Sequence, residues 1–274
     1  MSPSPTPEGL ARGFVIPIGG AEERSGDMTV LTRFVGLCGG EDAKLVIVPT
    51  ASNLADTGSR YEALFQQIGV AEVSTLPISE RVDGANPDYL DQLEKADGVF
   101  ITGGNQLRLS TILGGTEFAQ KLRRVNASGT HIAGTSAGAA IMPEHMIAGG
   151  ATGVLPHADG VRLVPGLGLT NALLIDQHFS QRDRLGRLLT ALSYNPYLIG
   201  VGIDEDTALF IGPENSLEVE GSGSVTIIDP SELTYTSSSD AAKHDNLSLL
   251  NLRVHILSQG FRYDLNTRTP AVPV

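Results

Sequence analysis

The sequence contains little that suits a secreted or nucleic-acid-binding protein. Among its 274 residues Cys38 is the one cysteine, so no disulfide can form within the chain, and a reducing compartment is compatible with it. Nineteen lysines and arginines stand against thirty-one aspartates and glutamates, a formal net charge of −12. This charge argues against nucleic acid or an anionic membrane surface as the main partner. We therefore expect a cytoplasmic protein with no nucleic-acid partner.

Long apolar runs and several short signature motifs are also missing. No stretch approaches the length of a membrane span, and residues 1–9 lack the basic start and apolar core of a secretory signal. The glycine pairs at 19–20 and 103–104 do not have the G-x-G-x-x-G or G-x-x-x-x-G-K-[ST] spacing of nucleotide cradles. There is no H-E-x-x-H and no Cys/His cluster, and the acidic triplet at 204–206 alone is weak support for a metal. We expect no membrane contact, no cofactor and no required metal.

The 41% of hydrophobic residues is enough for a sizeable core, and much of it lies in short apolar runs that alternate with helical patterns. Strands are expected at residues 13–18, 44–48, 72–78, 97–102, 130–135, 172–178 and 198–203, and helices at 28–37, 60–68, 87–95, 107–113, 118–125 and 182–194. This alternation predicts an α/β fold with a mostly parallel, doubly wound sheet and helices on both faces.

The last quarter of the chain predicts short β-segments that extend the sheet in antiparallel fashion, at 207–211, 216–220, 224–228 and 249–257. Residues 142–165 are rich in Gly, Ala and Pro and are predicted to be a loop with short pieces of structure, and 231–245 a solvated loop. No internal repeat or linker divides the chain. We therefore predict a flexible tail at 1–9 and a single α/β catalytic domain at 10–274.

One strand runs into a helix through a serine, Ser136. Gly134, Ser136 and Gly138 match the G-x-S-x-G spacing, in which a sharp turn pushes the serine hydroxyl out of the sheet. The two glycines lack the Cβ atoms that would collide where strand and helix approach closely. The same pattern fits an ordinary strand-turn-helix connection. A catalytic Ser136 therefore needs a base within reach and an acid to orient that base.

Polar residues at other strand ends are the candidates, because parallel sheets gather ligands at the carboxyl ends of their strands. His178 ends an apolar strand and is the best placed of the six histidines. The triplet at 204–206 ends another strand, but its position alone does not choose among three carboxylates. A competing order with Asp159 or Asp176 as acid and His255 as base would match the α/β-hydrolases, and this alternative stays open.

The segment 176–187 is dense in groups suited to binding. It carries the three arginines Arg182, Arg184 and Arg187. We predict that they recognise carboxylates, since the planar guanidinium fork binds them bidentately, and that Asp176 answers a cationic group on the same ligand. The alternative is a solvated helix face on which Asp183 pairs with Arg187 at i,i+4.

Five segments, in order, closely resemble the cyanophycinase family. They are residues 14–22, 102–106, 134–139, 176–187 and 202–207. The likeness covers nearly the whole chain after the tail, and no matched position departs from the family pattern. The 176–187 segment is long and distinctive, whereas the serine motif is shared with the related aspartyl dipeptidases.

The resemblance implies a homodimer with a fold like the class I glutamine amidotransferases. It also implies a serine-type exopeptidase that degrades cyanophycin, a polyaspartate with arginine on each β-carboxyl, to β-Asp-Arg dipeptides. Carried over, Ser136 is the nucleophile, His178 the base and Glu205 the orienting acid. The implied substrate pocket comprises Gln106, Asp176, Gln177, Arg182, Arg184 and Arg187.

Two further expectations complete the sequence picture. Because a glycine pair after a strand frees backbone N–H groups, we predict that the N–H groups of Gly104 and Ala137 stabilise an oxyanion. Three other functions stay open: a dipeptidase acting on short Asp-containing peptides, a non-catalytic polymer-binding module, and a glutamine-hydrolysing amidotransferase. The last normally uses a cysteine nucleophile, and Cys38 is far from Ser136 in sequence.

Overall fold

The structure, a computed structural model, describes residues 3–273. Residues 1 and 2 of the predicted tail and residue 274 of the predicted domain lie outside this range. Residues 3–9 form no helix or strand, and the carbonyl of Ser4 accepts a hydrogen bond from the Arg12 guanidinium. The flexibility of the tail stays a prediction.

The described residues form strands and helices that alternate through the first half of the chain. The strands are β1 (Val15–Ile18), β2 (Lys44–Val48), β3 (Glu72–Thr75), β4 (Gly98–Ile101), β5 (His131–Thr135), β6 (His145–Gly150), β7 (Val161–Pro165), β8 (Leu173–Gln177), β9 (Ile199–Ile203), β10 (Thr207–Ile211), β11 (Ser216–Gly221), β12 (Val225–Asp229), β13 (Tyr235–Thr236), β14 (Leu249–Leu250), β15 (Arg253–Leu257), β16 (Arg262–Asp264) and β17 (Thr269–Ala271). The helices are α1 (Thr29–Cys38), α2 (Thr57–Ile68), α3 (Pro87–Lys95), α4 (Gln106–Leu113), α5 (Glu117–Ala127), α6 (Ala137–Ala140) and α7 (Leu185–Tyr194). Short 3₁₀ turns lie at Gly40–Asp42, Arg81–Ala85 and Ser180–Arg182.

A nine-stranded sheet has the order β17-β16-β11-β10-β1-β5-β4-β2-β3. The five strands from β1 to β3 in this order are parallel. The inner strands β1, β5, β4 and β2 are mostly apolar and buried because helices cover both faces, whereas the edge strand β3 is mostly polar. Phe34 of α1 and Phe65 of α2 pack on Phe100 of β4 on one face, while α3 to α6 pack on the other. The predicted doubly wound α/β arrangement is confirmed. So is an antiparallel extension, which is formed by β10, β11, β16 and β17, but the segments predicted to extend it at 224–228 and 249–257 lie in other sheets.

The strands β8 and β9 do not join this sheet. They are parallel neighbours in a second, four-stranded sheet of order β15-β12-β9-β8. Backbone hydrogen bonds join its carboxyl ends to that of β1: His178 N–H donates to the Gly19 carbonyl and Asp206 N–H to the Gly20 carbonyl, both at 2.8 Å. A Cβ on Gly19 would collide with the Asp204 carbonyl, so this contact requires glycine. The strand ends named in the sequence therefore meet, although they come from two sheets.

One hydrophobic core includes residues of both sheets, among them Val46 and Val99 of the first and Ile175 and Val201 of the second. This shared core supports the single domain that the sequence predicts. No helix among residues 3–273 is long and apolar enough to cross a bilayer.

Some late elements differ from the sequence prediction. The segment 142–165, predicted to be largely loop, contains the antiparallel hairpin β6–β7, with a register shift between Ile147 and Gly149. The strand predicted at 249–257 is broken at Asn251, whose φ is +65°. β6 contains Gly and Ala and lacks polar-apolar alternation, so it leaves no periodic signal in the sequence.

Candidate active site

Ser136 lies at the turn between β5 and α6 in a strained conformation, with φ +52° and ψ −109°. Its N–H donates to the Ile18 carbonyl at 3.0 Å, which holds the turn against β1. A Cβ at Gly138 would collide with the Ile101 carbonyl, and one at Gly134 would lie 2.7 Å from the backbone of Gly138. Both glycines of the motif are therefore required by close backbone contacts.

The ring of His178 lies against this serine. His178 follows β8 with φ +48°, and its Nε2 is 2.9 Å from Ser136 Oγ. A Cβ at Gly20 would collide with the imidazole, so glycine at the end of β1 makes room for the ring. The hydroxyl and the imidazole are thus within hydrogen-bond reach of each other.

The structure distinguishes the three carboxylates of the triplet at 204–206. Glu205 Oε1 is 2.5 Å from His178 Nδ1. The Asp204 carboxylate instead accepts from Ser180 N–H at 3.0 Å, and Asp206 accepts from Glu23 N–H at 2.7 Å. Two of the acids therefore fasten loops, and Glu205 alone among the three is hydrogen-bonded to the imidazole.

The surroundings of His178 set its protonation. Burial lowers the pKa of His178 below its ordinary value of 6.5, the charges of Arg182 and Arg184 lower it further, and the hydrogen bond to Glu205 opposes the shift. The imidazole is therefore neutral near pH 7. A carboxylate accepts but does not donate, so Nδ1 carries the hydrogen and Nε2 can accept from the serine hydroxyl.

The competing order of acid and base is not assembled among residues 3–273. The His255 ring lies on β15, 5.7 Å from the ring of Tyr263. Asp159 pairs with His244 at 3.1 Å instead. No hydrogen bond connects Asp159 or His255 with Ser136 in the described part of the chain.

The predicted oxyanion donors lie close to the nucleophile. Gly104 has φ +144°, and a Cβ there would collide with the Ala51 carbonyl. A Cβ on the preceding Gly103 would lie 3.4 Å from Ser136 Cβ, so this loop borders the serine. Ala137 is the first residue of α6, where a helix leaves its N–H without an intrahelical acceptor. Their role in catalysis stays a prediction.

Asp176, Arg184 and Arg187 form a buried cluster. Arg187 Nε donates to Asp176 Oδ2 at 2.6 Å, its Nη2 donates to Oδ1, and Arg184 Nη1 approaches Oδ1 at 3.3 Å. Asp176 is fully buried, and the arginines are 8% and 5% exposed. The solvated helix face with an Asp183–Arg187 pair is therefore wrong, because both guanidinium groups turn inward to a carboxylate on β8. Direct substrate contact by this cluster stays a prediction.

Burial also dominates the electrostatics of this cluster. It raises the pKa of the Asp176 carboxyl, and the bonds from the two arginines offset that rise only in part. It lowers the pKa of Arg184 to about 10, with a smaller contribution from the charge of Arg187. Since Asp176 stands two residues before His178, the cluster fixes the strand end that carries the imidazole.

The other predicted substrate residues differ in burial: Gln177 is buried, Gln106 is half-buried and Arg182 is exposed. Gln177 Nε2 donates to Gln106 Oε1 at 2.9 Å, and Gln106 Nε2 donates to the Ile147 carbonyl at 2.5 Å. Gln177 Oε1 is buried and has no hydrogen-bond partner within residues 3–273. Arg182 is exposed at the end of the 3₁₀ turn.

Sequence reasoning missed a buried acid beside the nucleophile. Glu22, 3% exposed, accepts from Thr135 Oγ1 at 2.5 Å and from Tyr61 OH at 2.6 Å. It is the fourth residue beyond β1, and the strand-end rule that singled out His178 could have found it. A carboxylate thus fixes the residue that immediately precedes Ser136.

A strained serine bonded to a histidine that is bonded to a carboxylate is the arrangement of serine-type hydrolases. Peptidase family S51 matches residues 15–218. The chain belongs to this family and is a serine-type peptidase, as the sequence resemblance predicts.

Curated relatives cover almost the whole chain. Cyanophycinase of Geminocystis herdmanii is 41% identical over 261 residues, covering 94% of this chain and 96% of its own length. Cyanophycinase of Trichormus variabilis is 43% identical over 262 residues, covering 94% and 88%. The predicted relationship to cyanophycinases is confirmed by these matches.

Two solved structures share the fold. A peptidase from an acI-B1 Actinobacterium has a TM-score of 0.67 at 21% identity and covers 93% of this chain and 98% of its own. A putative Peptidase E protein from Listeria monocytogenes has a TM-score of 0.55 at 18% identity, covering 78% and 100%.

Proposed function

We propose that the chain is an exopeptidase that hydrolyses cyanophycin to β-Asp-Arg dipeptides through an acyl-enzyme on Ser136. The observation that carries this proposal is the hydrogen-bond chain from Ser136 Oγ to His178 Nε2 at 2.9 Å and from His178 Nδ1 to Glu205 Oε1 at 2.5 Å. The substrate is supported by relatives named cyanophycinase at 41% and 43% identity. The acidic chain, with arginines near the site, also suits a polymer that carries both charges.

The proposed reaction follows from this geometry. His178 Nε2 takes the hydroxyl proton as Ser136 Oγ attacks the scissile carbonyl, and the N–H groups of Gly104 and Ala137 stabilise the oxyanion. The imidazolium gives the proton to the leaving nitrogen as the C–N bond breaks, which leaves an ester on Ser136. Water, deprotonated by His178, then hydrolyses the ester and restores the serine. Glu205 holds the Nδ1 hydrogen throughout and stabilises the imidazolium.

The experiment is incubation of the purified protein with cyanophycin, followed by identification of the products by mass. We expect β-Asp-Arg from the wild type, and a rate lower by on the order of 10⁴–10⁶-fold in Ser136→Ala, because the nucleophile is gone. Polymer binding by this variant should survive. Ser128→Ala is the control, since Ser128 is exposed before the opposite end of β5.

Two results would contradict the proposal. Full activity of Ser136→Ala would rule out the serine mechanism. Hydrolysis of short Asp-containing peptides, with no action on the polymer, would make the chain a dipeptidase instead.

We also propose a cytoplasmic homodimer that is folded as one domain from residue 10 onward. The dimer and the location rest on the family resemblance, and the single domain rests on the core shared by the two sheets. Light scattering at several concentrations tests the dimer. A single cooperative unfolding transition, reported alike by two probes, tests the single domain.

A further inference from the structure

A pocket beside Ser136 contrasts with the acidity of the chain. It has a volume of about 340 Å³, and its lining includes Ser136, His178 and two arginines. No aspartate or glutamate belongs to its described lining, although the chain carries a net charge of −12. The charged groups that a bound substrate would meet here are Arg24 and Arg60.

Hydrogen bonds to Glu22 and Tyr61 hold the Arg24 guanidinium in position. Its Nε and Nη2 donate to Glu22 Oε1 at 3.2 and 2.9 Å, and Nη2 also donates to Tyr61 OH at 2.7 Å. The guanidinium carbon lies 4.9 Å from the centre of the Tyr61 ring. A guanidinium held by Glu22 and by the hydroxyl and ring of Tyr61 loses less conformational entropy when it binds a ligand.

The two halves of this ion pair differ in exposure. The Glu22 side chain has no exposed surface, whereas 54% of the Arg24 side chain is exposed. Both Glu22 oxygens accept bonds from the chain, while Arg24 Nη1 has no hydrogen bond to residues 3–273. The formal charges of Glu22 and Arg24 cancel, but the Arg24 guanidinium lines the pocket and the Glu22 carboxylate does not.

Arg60 is bound differently. It pairs with Asp56 at 2.7 Å across one turn of α2, and both side chains are more than half exposed. Such surface pairs contribute little and are readily rearranged. Of the two arginines of the pocket, Arg24 is therefore the one with a fixed orientation.

We propose that Arg24 binds a carboxylate of the substrate, held in position by Glu22 and Tyr61. The planar guanidinium matches a carboxylate better than an ammonium does. The inference rests on the proposed peptidase function, and it assigns a specificity role to a residue outside the 176–187 segment. In cyanophycin the carboxylate is either that of an attached arginine or the end of the aspartate backbone.

The test uses a synthetic Asp oligomer with arginine on each β-carboxyl, made with free arginine carboxylates, with arginine amides, or with an amidated backbone end. Arg24→Ala should raise KM on the order of 10-fold for the free form, with little change in kcat, because uniform binding is lost. For the oligomer that lacks the recognised carboxylate, Arg24→Ala should raise KM by less than about threefold. A merely structural role would weaken all forms equally and would overturn the proposal.

Conservative and control variants sharpen this result. Arg24→Lys keeps the charge but loses the fork, so its KM should lie between those of the wild type and Arg24→Ala. Arg60→Ala should have a smaller effect than Arg24→Ala. Lys95→Ala removes an exposed charge on α3, where Lys95 pairs with Asp91, and should change no parameter.

A second readout does not depend on polymer hydrolysis. A neutral sulfonyl fluoride should label Ser136 equally fast in the wild type and in Arg24→Ala, which checks that the site is intact. Excess β-Asp-Arg should slow labelling of the wild type more than one of its two amides does: the arginine amide if Arg24 binds the arginine carboxylate, or the aspartate α-amide if it binds the backbone end. Arg24→Ala should remove this difference. Equal protection by the dipeptide and both amides in the wild type, together with equal KM changes for all oligomers, would contradict the proposal. Inactivity on the polymer with this protection pattern intact would reject the proposed function alone.

Discussion

Two arginine–carboxylate groups stand near the Ser136–His178 pair, and they differ in what they leave exposed. In the group of Asp176, Arg184 and Arg187, all three side chains are buried and the two cations converge on one carboxylate. In the group of Glu22 and Arg24 the acid is buried and the arginine is half exposed to the pocket. The first can fix the strand that carries the histidine, whereas the second can also meet a ligand.

The comparison shows that arginine density along a sequence does not identify the arginines that line the pocket beside Ser136. The 176–187 segment is the richest in arginine, yet Arg184 and Arg187 turn inward. Arg24 stands without neighbouring arginines after β1 and lines the pocket. Burial and the identity of the partner decide how much of each guanidinium is exposed to the pocket.

The largest effect is expected from Asp176→Ala. Removal of the carboxylate leaves two buried cations without a counter-ion, which should lower the free energy of unfolding by about 3–5 kcal/mol. Urea unfolding measures it, with Asp91→Ala on the exposed Lys95 pair as control. An unchanged unfolding free energy with a raised KM would mean that Asp176 binds substrate. That result would contradict the structural role assigned to this cluster.

A smaller loss of stability is expected from Glu22→Gln. The amide keeps the size but weakens the bonds from Tyr61 and Thr135, at a cost of about 1–2 kcal/mol. Because Arg24 loses its charged anchor, KM for the free-carboxylate oligomer should also rise severalfold. Kinetics and urea unfolding of the same variant measure both effects. A stability loss with no change in KM would separate Glu22 from substrate binding.

The smallest effect concerns the pH profile. Burial and nearby arginines lower the pKa of His178, so the basic form persists below its ordinary value of 6.5, and kcat/KM should fall only as pH drops through the lowered value. Arg182→Ala removes one depressing charge, so the acid limb should move to higher pH. The measurement is kcat/KM against pH, and Lys95→Ala should leave the limb in place. A shift to lower pH in Arg182→Ala would contradict the stated cause.

The parallel half of the sheet could be predicted because its strands are continuous apolar runs between glycines and helical patterns, as at 44–48 and 97–102. The serine turn could also be predicted, since Gly134 and Gly138 are local requirements of its backbone. The second sheet could not, because β8 and β9 have the same apolar pattern as strands of the first.

Side-chain partners far apart in sequence were equally beyond prediction. Glu22 meets Tyr61 and Thr135, which lie 39 and 113 positions away. Arg187 selects Asp176 and not Asp183 because α7 begins only at Leu185 and turns the guanidinium toward β8. Such choices depend on how the elements pack and not on local spacing.

The central claim is that Ser136 is a nucleophile activated by His178. Labelling with a neutral fluorophosphonate, followed by mass mapping of the modified peptide, tests it most directly. We predict one label per chain on Ser136, loss of cyanophycin hydrolysis in step with labelling, and much slower labelling in His178→Ala. A label on another residue, or full polymer hydrolysis by protein labelled at Ser136, would contradict the account.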